Sequence, residues 1–445
     1  MKSPSIIQRL LGSVSQRTGQ RKGLDRDARK TVALCRDLLS QRGEASGAAL
    51  AREALAAYNA LQGPSLEAFI DVLVEEFSPA PEAVNSVADA YRQDPTQAHL
   101  VRLQRAVEPL RLELFRRLNL APGGTAALVE MRRRILQRLK DRPEWTGIDA
   151  DLAHLLASWF NRGFLVLQRI DWRTSALILE KLTQYEAVHA IQSWQDLRRR
   201  LQADRRCFAF FHPALPEEPI IFIEVALTRG MSSTVQPLLD PDSAVADPTD
   251  ANCAIFYSIT NCQEGLRGIS FGNFLIKQVA EDLGREFPRL KTFATLSPVP
   301  GFRAWLRDAA QELAAVPGGP ALLEQLRAIE APGWHAEAEL AKSLEPPLLQ
   351  LCAHYLLRAK RDGEPLDAVA RFHLGNGARM ERLNWLADLS KEGMARSAGI
   401  MVNYAYRLDD IERNHEAYVN RHEVVASAKL AVFARACALG SAPKP

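Results

Sequence analysis

The chain has 445 residues, of which 47% are hydrophobic and 24% charged, and its formal net charge at pH 7 is +3. This composition is typical of a globular protein and excludes a disordered or fibrous chain, while the length predicts two or three domains. The small net charge offers no argument for nucleic-acid binding. No apolar run approaches the roughly 18 residues that a membrane span requires, so we predict neither a nucleic-acid nor a membrane partner.

The six cysteines are scattered along the chain without a Cys-x-x-Cys pair. This pattern predicts free thiols in a reducing compartment and disfavours a disulfide framework or a zinc site. We therefore expect no metal ion and a cytoplasmic location. The first 24 residues are basic and contain no acidic residue, which is typical of a flexible N-terminus. A transit peptide to the mitochondrial matrix is the alternative for that segment.

Residues 25 to 165 show helical periodicity almost throughout. Separate helices are predicted at Glu82–Gln93, Gln97–Leu118, Thr125–Leu139 and Asp149–Phe160. Ser65 follows a Gly-Pro break and is expected to cap a further helix. The basic run from Arg132 to Lys140 indicates a solvated helix face, with phosphate binding as the alternative. Because no site is recognisable here, we predict a helical bundle domain that serves oligomerisation.

Short β-prone runs replace the helical pattern after residue 165. Strands are predicted at Cys207–Phe211, Ile220–Leu227, Ala254–Ile259, Thr292–Leu296 and Ile400–Tyr406. A helix is expected around residues 177 to 191, and a loop over residues 230 to 250, which are rich in Ser, Pro and Asp. We therefore predict a mixed α/β domain over residues 166 to 445, with a helical insertion at residues 303 to 360.

A glycine-rich turn, Gly265-Leu-Arg-Gly-Ile-Ser-Phe-Gly-Asn273, separates two of these strands and opens a helix from Phe274 to Phe287. Glycine lets a phosphate approach the backbone, and N–H groups at a helix start have no helical partner, so such a turn can bind an anion. The turn lacks the Gly-Lys-Ser/Thr of a nucleoside-triphosphate loop. It resembles the pyrophosphate loop of acetyltransferase-like (GNAT) folds, which bind coenzyme A. A closely packed turn accounts equally well for the glycines alone.

Three segments together resemble the malonyl-CoA decarboxylase family. They are the glycine-rich turn extended to Lys277, Thr295-Leu-Ser-Pro-Val-Pro-Gly-Phe302, and Phe372-His-Leu-Gly-Asn-Gly-Ala378. The segment Asn403-Tyr-Ala-Tyr406 supports them. The resemblance runs from about Trp172 to Tyr418 and extends to the layout of the helical region. It implies a helical N-terminal domain followed by a mixed α/β catalytic domain of acetyltransferase type.

The resemblance assigns catalytic roles to Ser297 and His373 and a substrate-binding role to Tyr406. It places the acyl-CoA loop at Arg267, Gly268, Ile269, Ser270, Phe271, Gly272 and Asn273. Relatives carry an acidic residue where this chain has Ser270, so a carboxylate there is in doubt or is replaced by Glu224 or Glu264. Candidate amide donors to the substrate, each of which can also cap a turn, are Asn376, Asn384 and Asn403.

The activity that the resemblance implies is conversion of malonyl-CoA to acetyl-CoA and carbon dioxide through a thioester enolate. The thioester is itself the electron sink, so no metal or organic cofactor is expected beyond the coenzyme A of the substrate. A Ser297–His373 dyad would supply the proton, with His373 titrating near neutral pH. We also expect a homo-oligomer, either a dimer or a tetramer.

Other interpretations remain open at this point. Ser297 precedes Pro298 and can be a plain strand-end capping residue, and His373 can be a buried structural histidine. A coenzyme A loop also suits an N-acyltransferase or a non-catalytic acyl-CoA-binding scaffold. Formation of acetyl-CoA from malonyl-CoA without an acceptor would distinguish the decarboxylase from both.

Overall fold

A computed structural model describes residues 25–40, 44–269, 271 and 275–441, and within them the chain divides into two compact units. The first unit holds the described residues up to Val166, together with Phe211–Glu218 and Gln263–Phe271. The second unit holds Leu167–Phe210, Pro219–Cys262 and the described residues from 275 onward. The central part of the glycine-rich turn therefore belongs to the first unit, although strands and a helix of the second unit flank it in sequence.

Helices form almost all of the first unit. They are α1 (Arg26–Ser40), α2 (Glu44–Ala60), α3 (Gly63–Glu75), α4 (Pro81–Gln93), α5 (Gln97–Val107), α6 (Leu110–Asn119), α7 (Gly124–Arg138) and α8 (Thr146–Trp159). Aromatic side chains such as Phe69, Phe77 and Phe115 are fully buried among them. Burial of such large apolar groups is the main stabilising contribution to a bundle of this kind. The predicted helical N-terminal region is confirmed.

Proline accounts for the two main differences between the predicted and the observed helices of this unit. Gln62, not Ser65, is the N-cap of α3, since Pro64 occupies the first turn, where a missing N–H is harmless. The single helix predicted over Gln97–Leu118 is wrong. It is divided into α5 and α6 at Pro109, because a residue before proline avoids the helical conformation.

Ten strands, of two to 14 residues, occur in the described chain. They are β1 (Val166–Ile170), β2 (Arg205–His212), β3 (Leu215–Thr228), β4 (Cys253–Asn261), β5 (Thr292–Thr295), β6 (Ser297–Pro298), β7 (Lys360–Arg361), β8 (Glu364–Pro365), β9 (Arg379–Asn384) and β10 (Met401–Ala405). Eight of these described strands form one sheet, in the order β1-β2-β3-β4-β5-β10-β6, with β9 also paired to β10. The hairpin β7-β8 stands apart from that sheet.

The sheet is mixed. Strand β4 is antiparallel to β3 but parallel to β5, and β10 returns antiparallel to β5, β6 and β9. The parallel pair needs a crossover, which the glycine-rich turn and the helix Leu275–Glu286 supply. The order of elements is antiparallel strands, then a strand, the turn, a helix and a parallel strand, which is the acetyltransferase-like arrangement that the resemblance implied. The mixed α/β fold is thus confirmed.

Twelve described helices accompany the strands of the second unit. They are α9 (Ala176–Tyr185), α10 (Trp194–Arg200), α11 (Gln236–Leu239), α12 (Leu275–Glu286), α13 (Phe302–Asp308), α14 (Ala310–Ala314), α15 (Gly319–Leu326), α16 (Ala338–Leu357), α17 (Ala368–Gly375), α18 (Lys391–Ser397), α19 (Ile411–Arg421) and α20 (Ala428–Ala436). The helices α13 to α16 lie in the stretch predicted as helical. The short helix α11 interrupts the predicted loop, and α9 ends six residues before the predicted boundary at Ile191. None of the described helices combines the length and apolar content that crossing a bilayer demands.

Candidate active site

Ser297 lies on β6, where it pairs with Val402 of β10. Its buried hydroxyl donates to Thr295 Oγ1 at 2.8 Å and lies 2.9 Å from Nε2 of His373. Pro298 keeps the preceding residue extended, and in an extended chain residues two apart share a face, so Thr295 and Ser297 point the same way. Sequence reasoning missed Thr295, although this alternation could have identified it.

His373 lies in the last turn of α17, a helix whose N-cap is the buried carboxylate of Asp367. Its Nδ1 lies 2.8 Å from the Tyr406 hydroxyl, and its ring stacks on Tyr404 with centroids 4.4 Å apart. The structure therefore brings Ser297, His373 and Tyr406 into one hydrogen-bonded series, although 76 residues separate the first two in sequence. The sequence did not predict the stacking of Tyr404 on the imidazole.

Burial controls the protonation of this series. It lowers the pKa of His373 to about 3 and raises the pKa of Tyr406, so the imidazole is neutral and the phenol protonated at neutral pH. The expectation that His373 titrates near neutral pH is thus wrong. One proton arrangement satisfies every contact: Tyr406 donates to Nδ1, Nε2–H donates to Ser297, and Ser297 donates to Thr295.

Ser297 and His373 line a cavity of about 230 Å³ in the second unit. The rest of the wall is mainly apolar and consists of Val188, Phe256, Tyr257, Ile259, Asn261, Leu296, Pro298, Ala368, Val369 and Phe372. Such a space is small enough for an acyl group and offers few polar partners apart from the two candidate catalytic residues.

Gly301 ends the corner Ser297-Pro-Val-Pro-Gly301, a position where glycine commonly permits a tight turn. Its φ is −90°, a value that any residue adopts. Space is the actual constraint, because a Cβ at this position would lie 2.3 Å from the Tyr355 hydroxyl oxygen. The corner therefore packs directly against α16, which carries Tyr355.

The three candidate asparagines make structural contacts. Asn403 donates to the Thr295 carbonyl oxygen at 2.7 Å and accepts from Asn384 at 2.8 Å, so both amides hold strands together. Asn376, the C-cap residue of α17, donates to the Phe372 carbonyl oxygen of that helix at 2.8 Å. None of the three is among the residues that line the cavity, and their role as amide donors to the substrate stays a prediction.

The described residues of the predicted acyl-CoA loop, Arg267, Gly268, Ile269 and Phe271, belong to the first unit. Ser270, Gly272 and Asn273 lie outside the residues that the structure describes. The N–H groups of Arg267 and Ile269 donate to Glu264 and Leu266 within the turn, so they are not free for a phosphate. Gly268 has a φ of +79°, a conformation that favours glycine, and no described atom lies within 4 Å of where its Cβ would be.

The two acidic residues suggested as replacements at position 270 differ in surroundings. Glu224 is fully buried and paired with Arg200, and burial raises its pKa to about 8 despite that pairing. It is not among the cavity-lining residues. Glu264 is partly exposed and accepts a hydrogen bond from Gln137 at 3.0 Å. Neither contact indicates a catalytic carboxylate.

The fold and the series around His373 define an α/β protein of acetyltransferase-like topology with a buried serine–histidine site. The family described as "Malonyl-CoA decarboxylase C-terminal domain" matches residues 163–438, and "Malonyl-CoA decarboxylase N-terminal domain" matches residues 77–160. The chain belongs to the malonyl-CoA decarboxylase family, whose members are carboxy-lyases.

Individual relatives agree with this assignment. The malonyl-CoA decarboxylase structure from Rhodopseudomonas palustris is 51% identical, covers 91% of this chain and 98% of its own, and has a TM-score of 0.86. The malonyl-CoA decarboxylase structure from Agrobacterium vitis is 49% identical, covers 91% of this chain and 99% of its own, and has a TM-score of 0.84. The mitochondrial malonyl-CoA decarboxylase of Rattus norvegicus is 36% identical over 354 residues, which are 74% of this chain and 72% of that protein.

Proposed function

We propose that this protein is a malonyl-CoA decarboxylase that converts malonyl-CoA to acetyl-CoA and carbon dioxide. The observation that carries the proposal is the 2.9 Å contact between Ser297 Oγ and His373 Nε2 on the wall of a small apolar cavity. Membership of the family agrees with it.

Loss of carbon dioxide breaks the bond between the carboxylate carbon and C2 of the malonyl group. The electron pair passes into the thioester as an enolate, so we propose that no metal or organic cofactor takes part. An apolar wall that includes Phe256, Ile259 and Phe372 solvates a carboxylate poorly but accepts neutral carbon dioxide readily. The same wall strengthens any hydrogen bond made to the developing enolate oxygen.

Protonation of the enolate at C2 completes the reaction. In our proposal Ser297 rotates from Thr295 to the substrate and gives up its hydroxyl proton, which the Nε2 proton of His373 replaces. Nδ1 then takes the phenol proton of Tyr406. A thioester enolate is a much stronger base than a phenolate, so this transfer is favourable even though burial raises the pKa of Tyr406. The Nδ1 proton then returns to the phenolate while Nε2 takes up one proton from solvent, which restores the starting arrangement and matches the net consumption of one proton per turnover.

The glycine-rich turn is proposed to bind the pyrophosphate of coenzyme A. Gly268 supports this role through its open left-handed conformation, and the start of α12 follows the turn in sequence. The proposal for the described residues rests on Gly268 and Phe271, since two other N–H groups are engaged within the turn. Arg267 would contribute its charge rather than its backbone.

The activity is tested by incubating the protein with malonyl-CoA alone. We expect acetyl-CoA and carbon dioxide in equal amounts without any acceptor, because the enolate needs only a proton. A Ser297→Ala preparation, purified identically, controls for contaminating activity. Acyl transfer that requires an added amine would favour the acyltransferase, and tight binding without turnover would favour a scaffold.

We further propose a cytoplasmic homo-oligomer, dimer or tetramer, held through the helical region. Two observations support this: the described cysteines are all buried and form no disulfide, as in a reducing compartment, and no described residue of the helical region lines the cavity. Light scattering at micromolar concentration should give a mass of two or four chains. A mass of about 49.5 kDa, that of one chain, would contradict the proposal.

A further inference from the structure

Arg132 of α7 is buried, although it opens a basic run that the sequence indicated to be a solvated face. Its Nη1 donates to two carbonyl oxygens of the glycine-rich turn, those of Gly265 and Arg267, each at 2.9 Å. Its Nε donates to Asp149 at 2.9 Å, so the guanidinium is oriented by a carboxylate. The interpretation as a solvated face is therefore wrong for Arg132.

The turn also approaches the backbone of α7 closely. A Cβ added to Gly265 would lie 2.0 Å from the Val129 carbonyl oxygen, so only glycine fits at that point. Leu266 and Ile269, on either side of Gly268, are buried. The turn is thus held both by apolar packing and by the hydrogen bonds of one charged side chain, which are among the stronger kinds of hydrogen bond.

The hydrogen bond from Arg132 to the Arg267 carbonyl oxygen also sets the direction of the next N–H group, that of Gly268. The described chain contains no cis peptide bond, so the carbonyl of Arg267 and the N–H of Gly268 point in opposite directions across their shared peptide plane. Because the carbonyl points at Arg132 on α7, the Gly268 N–H points away from α7. Glycine at this position could otherwise sample many orientations.

We propose that Arg132 is a positioning residue for coenzyme A: it fixes the Arg267–Gly268 peptide so that the Gly268 N–H is aimed at a phosphate. The inference rests on the proposed function of the turn and gives the helical unit a part in substrate affinity. Arg132 touches the turn and not the substrate, so it should influence binding and leave the chemical step unchanged.

The test uses the full-length protein and measures binding of coenzyme A by calorimetry, together with the KM and kcat for malonyl-CoA. Arg132→Gln should weaken coenzyme A binding and raise KM, each roughly tenfold or more, because it removes hydrogen bonds from a charged donor. The kcat should change less than about twofold. Arg132→Lys keeps the charge but lacks the forked geometry, so its coenzyme A affinity and KM should lie between those of Arg132→Gln and wild type.

Two controls separate positioning from general damage. Arg111→Gln removes another buried arginine of the helical unit, one that donates to Asp151 and to the Leu73 carbonyl oxygen and not to the turn, so it should leave coenzyme A affinity unchanged. The malonyl thioester of N-acetylcysteamine lacks the nucleotide and pyrophosphate. Wild type and Arg132→Gln should turn it over at equal rates.

The outcomes are distinguishable. Equal coenzyme A affinity in wild type and folded Arg132→Gln overturns the inference, and if Arg132→Gln does not fold, Arg132→Lys decides in the same way. An equal loss of coenzyme A affinity in Arg111→Gln also overturns the inference. If wild type binds coenzyme A but does not decarboxylate malonyl-CoA, the proposed activity fails while the inference can still succeed on binding alone. A wild type that binds no coenzyme A overturns both.

Discussion

Replacing Ser297 or His373 by alanine should each lower kcat roughly 10²–10⁴-fold, the usual range for a positioned proton transfer. The double variant should be little worse than either single variant, because the 2.9 Å contact makes the two residues one unit. Coenzyme A affinity should persist in all three. The measurement is steady-state acetyl-CoA formation for the single and double variants, beside calorimetric binding of coenzyme A.

Two results would defeat this interpretation of the site. Near-normal turnover by Ser297→Ala would make the serine a structural residue of β6. Single-variant losses that multiply in the double variant would mean that the residues act independently, one on the carboxylate and the other on the enolate. Ser390→Ala is a suitable control, because Ser390 caps α18 and does not line the cavity.

Acid should destabilise the folded protein through His373. Burial lowers the pKa of this residue to about 3, whereas an unfolded chain leaves a histidine near its ordinary value of about 6.5. Between these values the unfolded state binds a proton that the folded state does not, so stability is present above pH 6.5 and falls as the pH drops toward 3. The loss from this group between pH 7 and pH 4.5 should be on the order of 2–3 kcal/mol.

Urea unfolding of wild type and His373→Gln at both pH values measures this contribution. The decrease in unfolding free energy should be smaller in His373→Gln by about the stated amount, because glutamine takes up no proton. His154→Gln, at an exposed position of α8, should keep the wild-type decrease. An identical decrease in wild type and His373→Gln would show that the buried imidazole takes up a proton in the folded state. For the same reason, we expect no ionisation of His373 in the pH–rate profile between pH 6 and 7.

Much of the fold follows from local patterns. Helical periodicity up to residue 165 and the β-prone runs beyond it indicated the change of architecture, because burying one face of a helix or strand imposes a period on the sequence. Predicted helix boundaries were wrong where a proline ends or starts a helix within one turn, as at Pro109. The helix that carries His373 was not predicted, since its eight residues are too few to establish a helical period.

The site was predictable to a smaller extent. Ser297 and His373 came from a resemblance, because no local rule links residues 76 positions apart. The low pKa of His373 could not be predicted, since it results from burial by elements distant in sequence. Arg132 was misinterpreted for a similar reason. A basic run gives no local sign that one of its members turns inward to meet a loop 133 residues later.

The location of the glycine-rich turn also bears on how the chain folds. Arg132 and its carbonyl partner at Gly265 are 133 residues apart, so closing this contact carries a large loop entropy and must follow the local helices. During synthesis the early helices can form as they emerge, but the first unit is complete only once the chain has been made past Phe271. Until then the guanidinium of Arg132 lacks two of its acceptors, the carbonyl oxygens of Gly265 and Arg267. The growing helical segment is therefore less stable than its length suggests.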